Sequence, residues 1–344
     1  MKIKFYKFLI FIIFAFLLFV QCSNPEVSSE AGKDYEDNED YIQEDFQNQW
    51  NNLNPSTHPN TFGQAMAYIG NDKIILFDPD YYGNTYTDMW EYDISSNIWI
   101  KLNSLSSPSA RIYSSMVYIG NNKIILFGGL DNAGYLNETW EYNVTTNTWK
   151  KLIPVIKPSA RIDHSMVYTG SNKAILFGGI DNLNNECNDT WEYNVTTNIW
   201  KKLNPAMKPS GRSGHSMEYI GNNKIILFGG TDDIDYLNET WEYNITANIW
   251  GKLNPSTKPY SRTLHSMVYI GNNKIILFGG SDDVDYLNDT WEYDILLNTW
   301  ANLNPGSSPS ARNIHSMVYA GKNKIILYGG YNNSGLNYET WEYK

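Results

Sequence analysis

Short runs of apolar and aromatic residues recur along residues 47–344, and each run is bounded by Gly, Asn, Asp, Pro or Ser. The runs are rich in Val, Ile, Tyr, Trp, Phe and Thr, and their spacing is not helical. Such runs between turn-forming residues are typical of β-strands joined by tight turns. We call the four strands of one unit a to d; in the unit from Arg161 to Leu203 they are predicted at His164–Tyr168, Lys173–Phe177, Thr190–Tyr193 and Asn198–Leu203.

This four-strand unit is repeated five times in near-identical form, after a first, degraded copy. A T/M-W-E-Y motif returns every 50 or 51 residues, at Trp90, Trp140, Trp191, Trp241, Trp291 and Trp341. A glycine pair ends strand b in five units, at Gly128/Gly129, Gly178/Gly179, Gly229/Gly230, Gly279/Gly280 and Gly329/Gly330. A second tryptophan series lies in strand d, at Trp50, Trp99, Trp149, Trp200, Trp250 and Trp300.

The period of about 50 residues, with a double glycine followed by Tyr and Trp, resembles the kelch repeat. That resemblance implies an all-β fold, a six-bladed kelch β-propeller with four antiparallel strands in each blade. One such blade is too small to be stable alone, so neighbouring blades have to cover its faces. The two large aromatic residues in each unit are predicted to supply this packing. The glycine pair predicts close backbone approach or positive φ at the end of strand b.

Closure of the ring is predicted from the two ends of the repeat array. The last unit stops after strand c, at Trp341–Lys344. The segment Gln49–Pro55 matches Thr299–Pro305, which includes strand d of a later unit. We therefore expect the segment around Trp50 to complete the last blade, which removes an exposed sheet edge.

The N-terminal residues predict export from the cytoplasm. Residues 1–7 carry three lysines, and residues 8–20 are an uninterrupted apolar run, too short to span a bilayer. Cys22 follows, and the segment resembles a bacterial lipoprotein signal peptide (1–22), although Gln21 stands where a small residue is usual. The resemblance implies a lipidated Cys22 and anchoring in the cell envelope, at the outer membrane or surface; the alternative is an ordinary signal peptide and secretion. Residues 23–46 are predicted to be an acidic flexible tether.

Charge and cysteine content exclude some classes of function. The net charge is −11; residues 1–46 hold four Lys and nine Asp or Glu, which gives −5 and leaves −6 for residues 47–344. A diffuse negative charge without basic clusters argues against nucleic acid as a partner. Only Cys187 accompanies Cys22, so no intramolecular disulfide framework is expected. No cofactor is predicted, and the protein is expected to be monomeric.

One face of the predicted propeller varies between units. The a–b turns are nearly identical, whereas the b–c loops share little beyond Asp and Asn. Because strands alternate in direction, the b–c loops and the d–a loops emerge together. We expect this face, called here the b–c/d–a face, to bind a protein or glycan partner. The alternative is neutral drift in exposed loops.

Five arginines recur just before strand a, and blade one has Thr61 there instead; they are Arg111, Arg161, Arg212, Arg262 and Arg312. In kelch propellers strand a is innermost, so the resemblance implies that these side chains lie near the mouth of the central channel. Five guanidinium groups there would bind a carboxylate- or phosphate-bearing ligand. The alternative is a structural role, in which each arginine pairs with backbone carbonyls or with a repeated glutamate such as Glu141, Glu192 or Glu242.

Two further repeated sets are expected to be structural. The first set is a histidine repeated in four blades, at His164, His215, His265 and His315. Equivalent residues of adjacent blades should lie roughly 10 Å apart, which is too far for these histidines to share a metal ion. The aspartates of 232–235 and 282–285 lack the glycine and distal glutamate of an EF-hand loop and are expected to form turns.

Catalysis remains an alternative. The resemblance to kelch propellers includes one six-bladed enzyme, the periplasmic sialic-acid mutarotase, so a mutarotase-like enzyme acting on an acidic sugar is the runner-up hypothesis. Blade one breaks the repeat with Phe77-Asp78-Pro79-Asp80, so Asp78 and Asp80 are the acid/base candidates, unless this terminal repeat has simply decayed. An isolated carboxylate inside the channel would favour the enzyme over a binding module. A third possibility is a structural spacer in an envelope assembly.

Overall fold

A computed structural model describes residues 47–79, 87–104 and 106–344. The predicted signal peptide with Cys22, the predicted tether and the candidate Asp80 lie outside the described residues. Every regular element of the described residues is a β-strand, so the all-β prediction is confirmed. The same residues include no helix with the length and apolar character of a membrane span.

Thirty strands form six four-stranded antiparallel sheets, the blades, and three two-stranded ribbons. The a strands are β2 (Ala65–Gly70), β6 (Ser115–Tyr118), β13 (Ser165–Tyr168), β18 (Ser216–Tyr219), β22 (Ser266–Tyr269) and β26 (Ser316–Tyr319). The b strands are β3 (Lys73–Asp78), β7 (Lys123–Phe127), β14 (Lys173–Phe177), β19 (Lys224–Phe228), β23 (Lys274–Phe278) and β27 (Ile325–Tyr328).

The c strands are β4 (Asp88–Asp93), β10 (Thr139–Asn143), β16 (Thr190–Asn194), β20 (Thr240–Asn244), β24 (Thr290–Asp294) and β30 (Thr340–Tyr343). The d strands are β5 (Ile98–Leu102), β11 (Thr148–Leu152), β17 (Ile199–Leu203), β21 (Ile249–Leu253), β25 (Thr299–Asn302) and β1 (Trp50–Asn52). Short loop strands are β8 (Leu130–Asp131), β9 (Gly134–Tyr135), β12 (Arg161–Ile162), β15 (Ile180–Asp181), β28 (Tyr331–Asn332) and β29 (Gly335–Leu336).

The ring closes as predicted. Strand β1 pairs antiparallel with β30, with Trp50 opposite Tyr343 and Asn52 opposite Trp341. The backbone groups of Gln49 and Lys344 exchange two further hydrogen bonds of 3.1 Å. Each a strand also contacts the a strands of both neighbouring blades, all the way around, so the a strands surround a central channel.

The apolar core lies between the blades. At the junction of blades three and four, Phe177 of β14 packs against Trp250 of β21, with ring centroids 5.0 Å apart. Equivalent clusters occupy the other five junctions. The strand d tryptophans therefore supply the predicted packing between blades, while those of the T-W-E-Y motif lie at the margins of several clusters.

The glycine pair satisfies both predicted requirements. Gly178 and Gly179 have φ of 71° and 92°, a region that favours glycine. A Cβ atom on Gly178 would lie 2.6 Å from the carbonyl oxygen of Arg212 and 2.7 Å from Cε1 of His215, both in the next blade. The pair therefore marks the contact between one blade and its successor.

Candidate functional site

The five repeated arginines lie on the b–c/d–a face, but their side chains are buried, with 0% exposure. Arg161 is representative: Nη1 donates to Asp189 Oδ1 at 2.7 Å and to the Gly178 carbonyl at 2.9 Å. Nη2 donates to Asp189 Oδ2 at 3.1 Å and to Ser159 Oγ at 2.8 Å. The other four arginines pair in the same way with an acidic residue of their own blade, at Glu138, Glu239, Asp289 and Glu339.

These contacts are those of the structural alternative, with a different acidic partner from the one expected. The glutamates of the W-E-Y motif pair with strand b lysines instead, as Glu141 does with Lys123 at 3.0 Å; Glu192 and Glu242 do the same. The true partner directly precedes the T-W pair, where the b–c loop ends on the same face as the arginine. Direct binding of an anion by the arginines stays a prediction, and each guanidinium group already faces a carboxylate.

The carboxylates paired to the arginines are strongly acidic. Burial raises the pKa of Glu138, but hydrogen bonds from Lys151, Arg111 and Trp140 outweigh it and lower the pKa to about 2. Glu239 behaves in the same way, also with a pKa of about 2. At neutral pH these groups are therefore ionised and neutralise the arginines.

The four repeated histidines are buried between blades, and each is at most 6% exposed. His215 packs edge-on against Phe177 of the preceding blade at 5.6 Å. Burial and the nearby Arg212 and His164 lower its pKa to about 3, against a smaller opposing effect of the Phe177 carbonyl. In blade one the same place is taken by Gln64, whose Nε2 donates to the Tyr328 carbonyl at 3.1 Å. Among the described residues no group of three His, Cys, Asp or Glu side chains could hold a metal ion.

The second of the two residues between the arginine and histidine positions lines the channel mouth, and sequence reasoning missed it. This mouth ring consists of Gly63, Tyr113, Asp163, Gly214, Leu264 and Ile314, which line a cavity of ≈ 220 Å³ at the b–c/d–a end of the channel. All six have φ between 53° and 66°. A β-branched residue such as Ile314 is rarely found there, and strained backbone of this kind costs about 1–3 kcal/mol.

Hydrogen bonds link the mouth ring from blade to blade. The N–H of Tyr113 donates to the Gly63 carbonyl at 3.2 Å, and that of Asp163 donates to the Tyr113 carbonyl at 3.3 Å. Gly214, Leu264 and Ile314 continue the series at 2.9, 2.7 and 3.0 Å. The backbone is thus fixed while the side chains are free to differ. The signal in the sequence was a pair of variable positions between the repeated arginine and the repeated histidine.

Asp163 gives this mouth an isolated carboxyl group. Burial raises the pKa of Asp163 to about 7. Glu186, in the b–c loop of blade three, also has a pKa of about 7. Burial raises this pKa most, and the nearby Asp233 and Asp163 raise it further, whereas a hydrogen bond of 3.0 Å from Ser213 lowers it. Asp163 therefore contributes to the raised pKa of Glu186 on this face.

Asp78, the acid/base candidate of blade one, occupies the place of the first glycine of the pair. It is buried, and its Oδ2 accepts a hydrogen bond of 3.2 Å from Trp90 Nε1. The mouth ring does not include it. Cys187 is half-buried in a b–c loop, and burial raises the pKa of its thiol, which does not favour a reactive thiolate.

Exposed apolar side chains also lie in the b–c and d–a loops of this face. The d–a loop after blade two exposes Ile153, Val155 and Ile156, and Val155 is fully exposed. Further exposed residues of the face are Leu183, Met207, Ile234, Tyr260 and Val284. Four exposed aspartates lie among them, at Asp233, Asp235, Asp283 and Asp285. The face is therefore both apolar and acidic.

Comparison with protein families agrees with this geometry. The model of the KLHDC2/KLHL20/DRC7 Kelch-repeats domain matches residues 28–218 and 205–344, which is most of the chain. No curated protein matches the chain.

Proposed function

The chain belongs to the kelch-repeat family, and from that premise we propose that it is a non-catalytic binding module whose b–c/d–a face binds a protein partner. Kelch propellers typically act as protein-binding modules. The face combines a variable mouth ring, exposed apolar loop tips and exposed aspartates on one rigid scaffold. Function of this kind is usually carried by loops that a rigid fold positions.

The exposed apolar side chains carry this proposal. Soluble proteins rarely leave large apolar patches open to water, and such patches commonly mark protein interaction sites. The d–a loop at Ile153–Ile156 is informative, because later units have Asn-Pro followed by mainly small or polar residues there. Aliphatic side chains favour a protein partner over a glycan, which needs hydrogen bonds to its hydroxyl groups.

The charge of the face narrows the class of protein partner further. Asp232 and Asp282 each accept backbone hydrogen bonds within their own turn, from Asp235 and Asp285 among others, as the sequence predicted for turn-forming aspartates. The exposed aspartates beside them remain available to a partner. A protein surface with apolar anchors and flanking Lys or Arg would complement this face.

The proposed setting is the cell envelope. The lipid would be carried by Cys22, and residues 23–46 would act as the tether. A flexible chain of 24 residues has a mean reach of roughly 25–30 Å. This reach would hold a propeller close to the membrane surface and leave its face accessible to envelope partners. Palmitate labelling of wild type and Cys22→Ser would test the anchor.

The binding proposal is tested with face variants of the full-length protein. The triple variant Ile153→Ser, Val155→Ser, Ile156→Ser should lose crosslinked protein partners recovered from envelope extracts of the source cells and identified by mass spectrometry. A matched control, Leu296→Ser with Leu297→Ser, alters exposed apolar residues in a c–d turn on the opposite face and should retain them. Equal recovery with both variants would reject this face and leave the spacer alternative.

A second candidate, an enzyme that interconverts anomers of an acidic sugar, is favoured by one observation. Asp163 is the isolated carboxyl group in the channel mouth that such a reaction would need, and its pKa of about 7 suits acid/base catalysis. Asn tolerates the positive φ of this position, so Asp163→Asn should fold normally. Anomer exchange of sialic acid that the wild type accelerates and Asp163→Asn does not would support the enzyme. No acceleration by the wild type would reject it.

A further inference from the structure

The channel opens at its other end into a second, larger cavity. Its volume is ≈ 390 Å³, and it lies where the a strands end, on the face opposite the mouth ring. A tyrosine from every blade lines it, at Tyr68, Tyr118, Tyr168, Tyr219, Tyr269 and Tyr319. Methionine and valine side chains line the cavity deeper in the channel. Its wall is thus aromatic and apolar.

One carboxyl group interrupts this wall. Glu218 of blade four stands where the other blades have Ala67, Val117, Val167, Val268 and Val318. Among the described residues that line the cavity, Glu218 is the only one with a charged side chain. This departure from valine or alanine places a carboxyl group at the channel wall.

The Glu218 carboxyl group has no ion-pair partner among the described residues. Its Oε2 accepts a hydrogen bond of 3.2 Å from the backbone N–H of Tyr269. Burial raises its pKa to about 8, with the Tyr269 hydrogen bond opposing. The other titratable groups that line the cavity are the six tyrosines.

We propose that this tyrosine-lined cavity binds a small organic cation of the alkylammonium class, with Glu218 as its counter-ion. A carboxylate supplies the charge, the tyrosine rings attract a cation, and the methionine and valine side chains accept its alkyl groups. A metal ion fits less well, since no group of three acidic, His or Cys side chains is present among the described residues. This site is independent of the b–c/d–a face.

A purely structural role for Glu218 is the competing explanation. Backbone N–H groups of one a strand bond to side chains of the preceding one elsewhere too: Ser216 Oγ accepts from Met267 at 3.3 Å, and Ser266 Oγ accepts from Met317 at 3.2 Å. Four other blades have valine at the Glu218 position and form the same sheet, so the fold does not require a hydrogen-bond acceptor there. Glu218→Gln separates the two roles because it keeps the acceptor and removes the ionisable group.

The test is calorimetric titration of the full-length protein with tetramethylammonium chloride, at constant ionic strength set with sodium chloride. The cation requires the ionised carboxylate, so with a pKa of about 8 binding should be about 100-fold weaker at pH 6 than at pH 9. Titrations at pH 7 in buffers of different ionisation enthalpy should show release of nearly one proton. Glu218→Gln and Glu218→Val should both lose binding.

Three results would overturn the proposal. One is no heat of binding by the wild type at pH 9. Another is equal binding by Glu218→Gln, which would show that charge is not used. The third is equal binding of tert-butanol, a neutral molecule of similar shape, which would make the cavity merely apolar. Partner recovery on the b–c/d–a face should be unchanged in Glu218→Gln, so the failure of one proposal leaves the other intact.

Discussion

The same repeat builds the junction between blades three and four and the junction between blades one and two. The two junctions nevertheless differ at the contacts of the strand d tryptophan and of the glycine pair. At the first, Trp250 Nε1 donates to Thr190 Oγ1 at 3.1 Å, and Gly178 lies beneath His215. At the second, Met89 replaces the threonine, and Trp149 Nε1 is buried without a hydrogen-bond partner among the described residues.

Two changes at the junction between blades one and two compensate each other. Blade one has Asp78-Pro79 in place of Gly-Gly, and blade two has Ser114 in place of the histidine that would lie against that glycine. Bulk gained on one side of the junction is thus offset by bulk lost on the other. The conserved features of the repeat therefore describe the contact between two blades, more than either blade alone.

The largest effect is expected from breaking the arginine contacts of a regular blade. Arg212→Ala leaves Glu239 half-buried without its main partner and should destabilise the protein by about 3–5 kcal/mol. Thr61→Ala, at the equivalent position of blade one, should cost far less. Urea denaturation at pH 7 measures both. If Arg212→Ala unfolds like the wild type, the arginines are not structural, and the predicted anion site gains support.

Next in size is the glycine position. Gly178→Ala combines an unfavourable φ with contacts of 2.6 and 2.7 Å to the next blade and should cost about 2–3 kcal/mol. Adding His215→Ser, which copies Ser114 at the junction between blades one and two, should recover part of this loss in the same denaturation experiment. Absence of any recovery would show that backbone strain and the Arg212 carbonyl account for the whole cost.

These glycines also show what sequence could predict. The repeat period, the strand order, the closing strand at Trp50 and the need for glycine all follow from local chemistry copied in register, and all are confirmed. The backbone-carbonyl bonds of the arginines are present as the structural alternative had them, but its named acidic partners are wrong because two acidic positions, three residues apart, both repeat. Only the folded blade shows that Glu141 pairs with Lys123.

The candidate sites were harder to predict for a different reason. Leu264 and Ile314 look like ordinary apolar residues, and nothing local indicates that their φ is positive or that they line the channel mouth. Glu218 lies at a strand position where four other blades have valine, and its place in the channel depends on six blades closing into a ring. Sequence patterns identify what the repeats share, whereas these sites lie where they differ.

The pH dependence of stability gives a third test of the histidine contact that the two junctions do not share. The folded pKa of His215 is about 3, below the ordinary value of 6.5, so the unfolded state binds the extra proton. The stabilisation is fully present above pH 6.5 and is lost by about 1.4 kcal/mol per pH unit as the pH falls towards 3. His215→Gln, which copies Gln64, should lower this slope between pH 7 and 5, by nearly one proton at pH 5. An unchanged slope would mean that His215 is protonated in the folded protein.

The smallest expected effect isolates the hydrogen bond between blades. Trp250→Phe removes ring volume and the bond to Thr190, whereas Trp149→Phe removes similar volume but no bond. Both should destabilise the protein, and Trp250→Phe should cost about 1 kcal/mol more, the usual net contribution of one buried hydrogen bond. Removing the unpaired N–H of Trp149 also relieves a desolvation cost, which widens the difference. Equal losses in urea denaturation would show that the threonine bond contributes nothing and that the two junctions differ in packing alone.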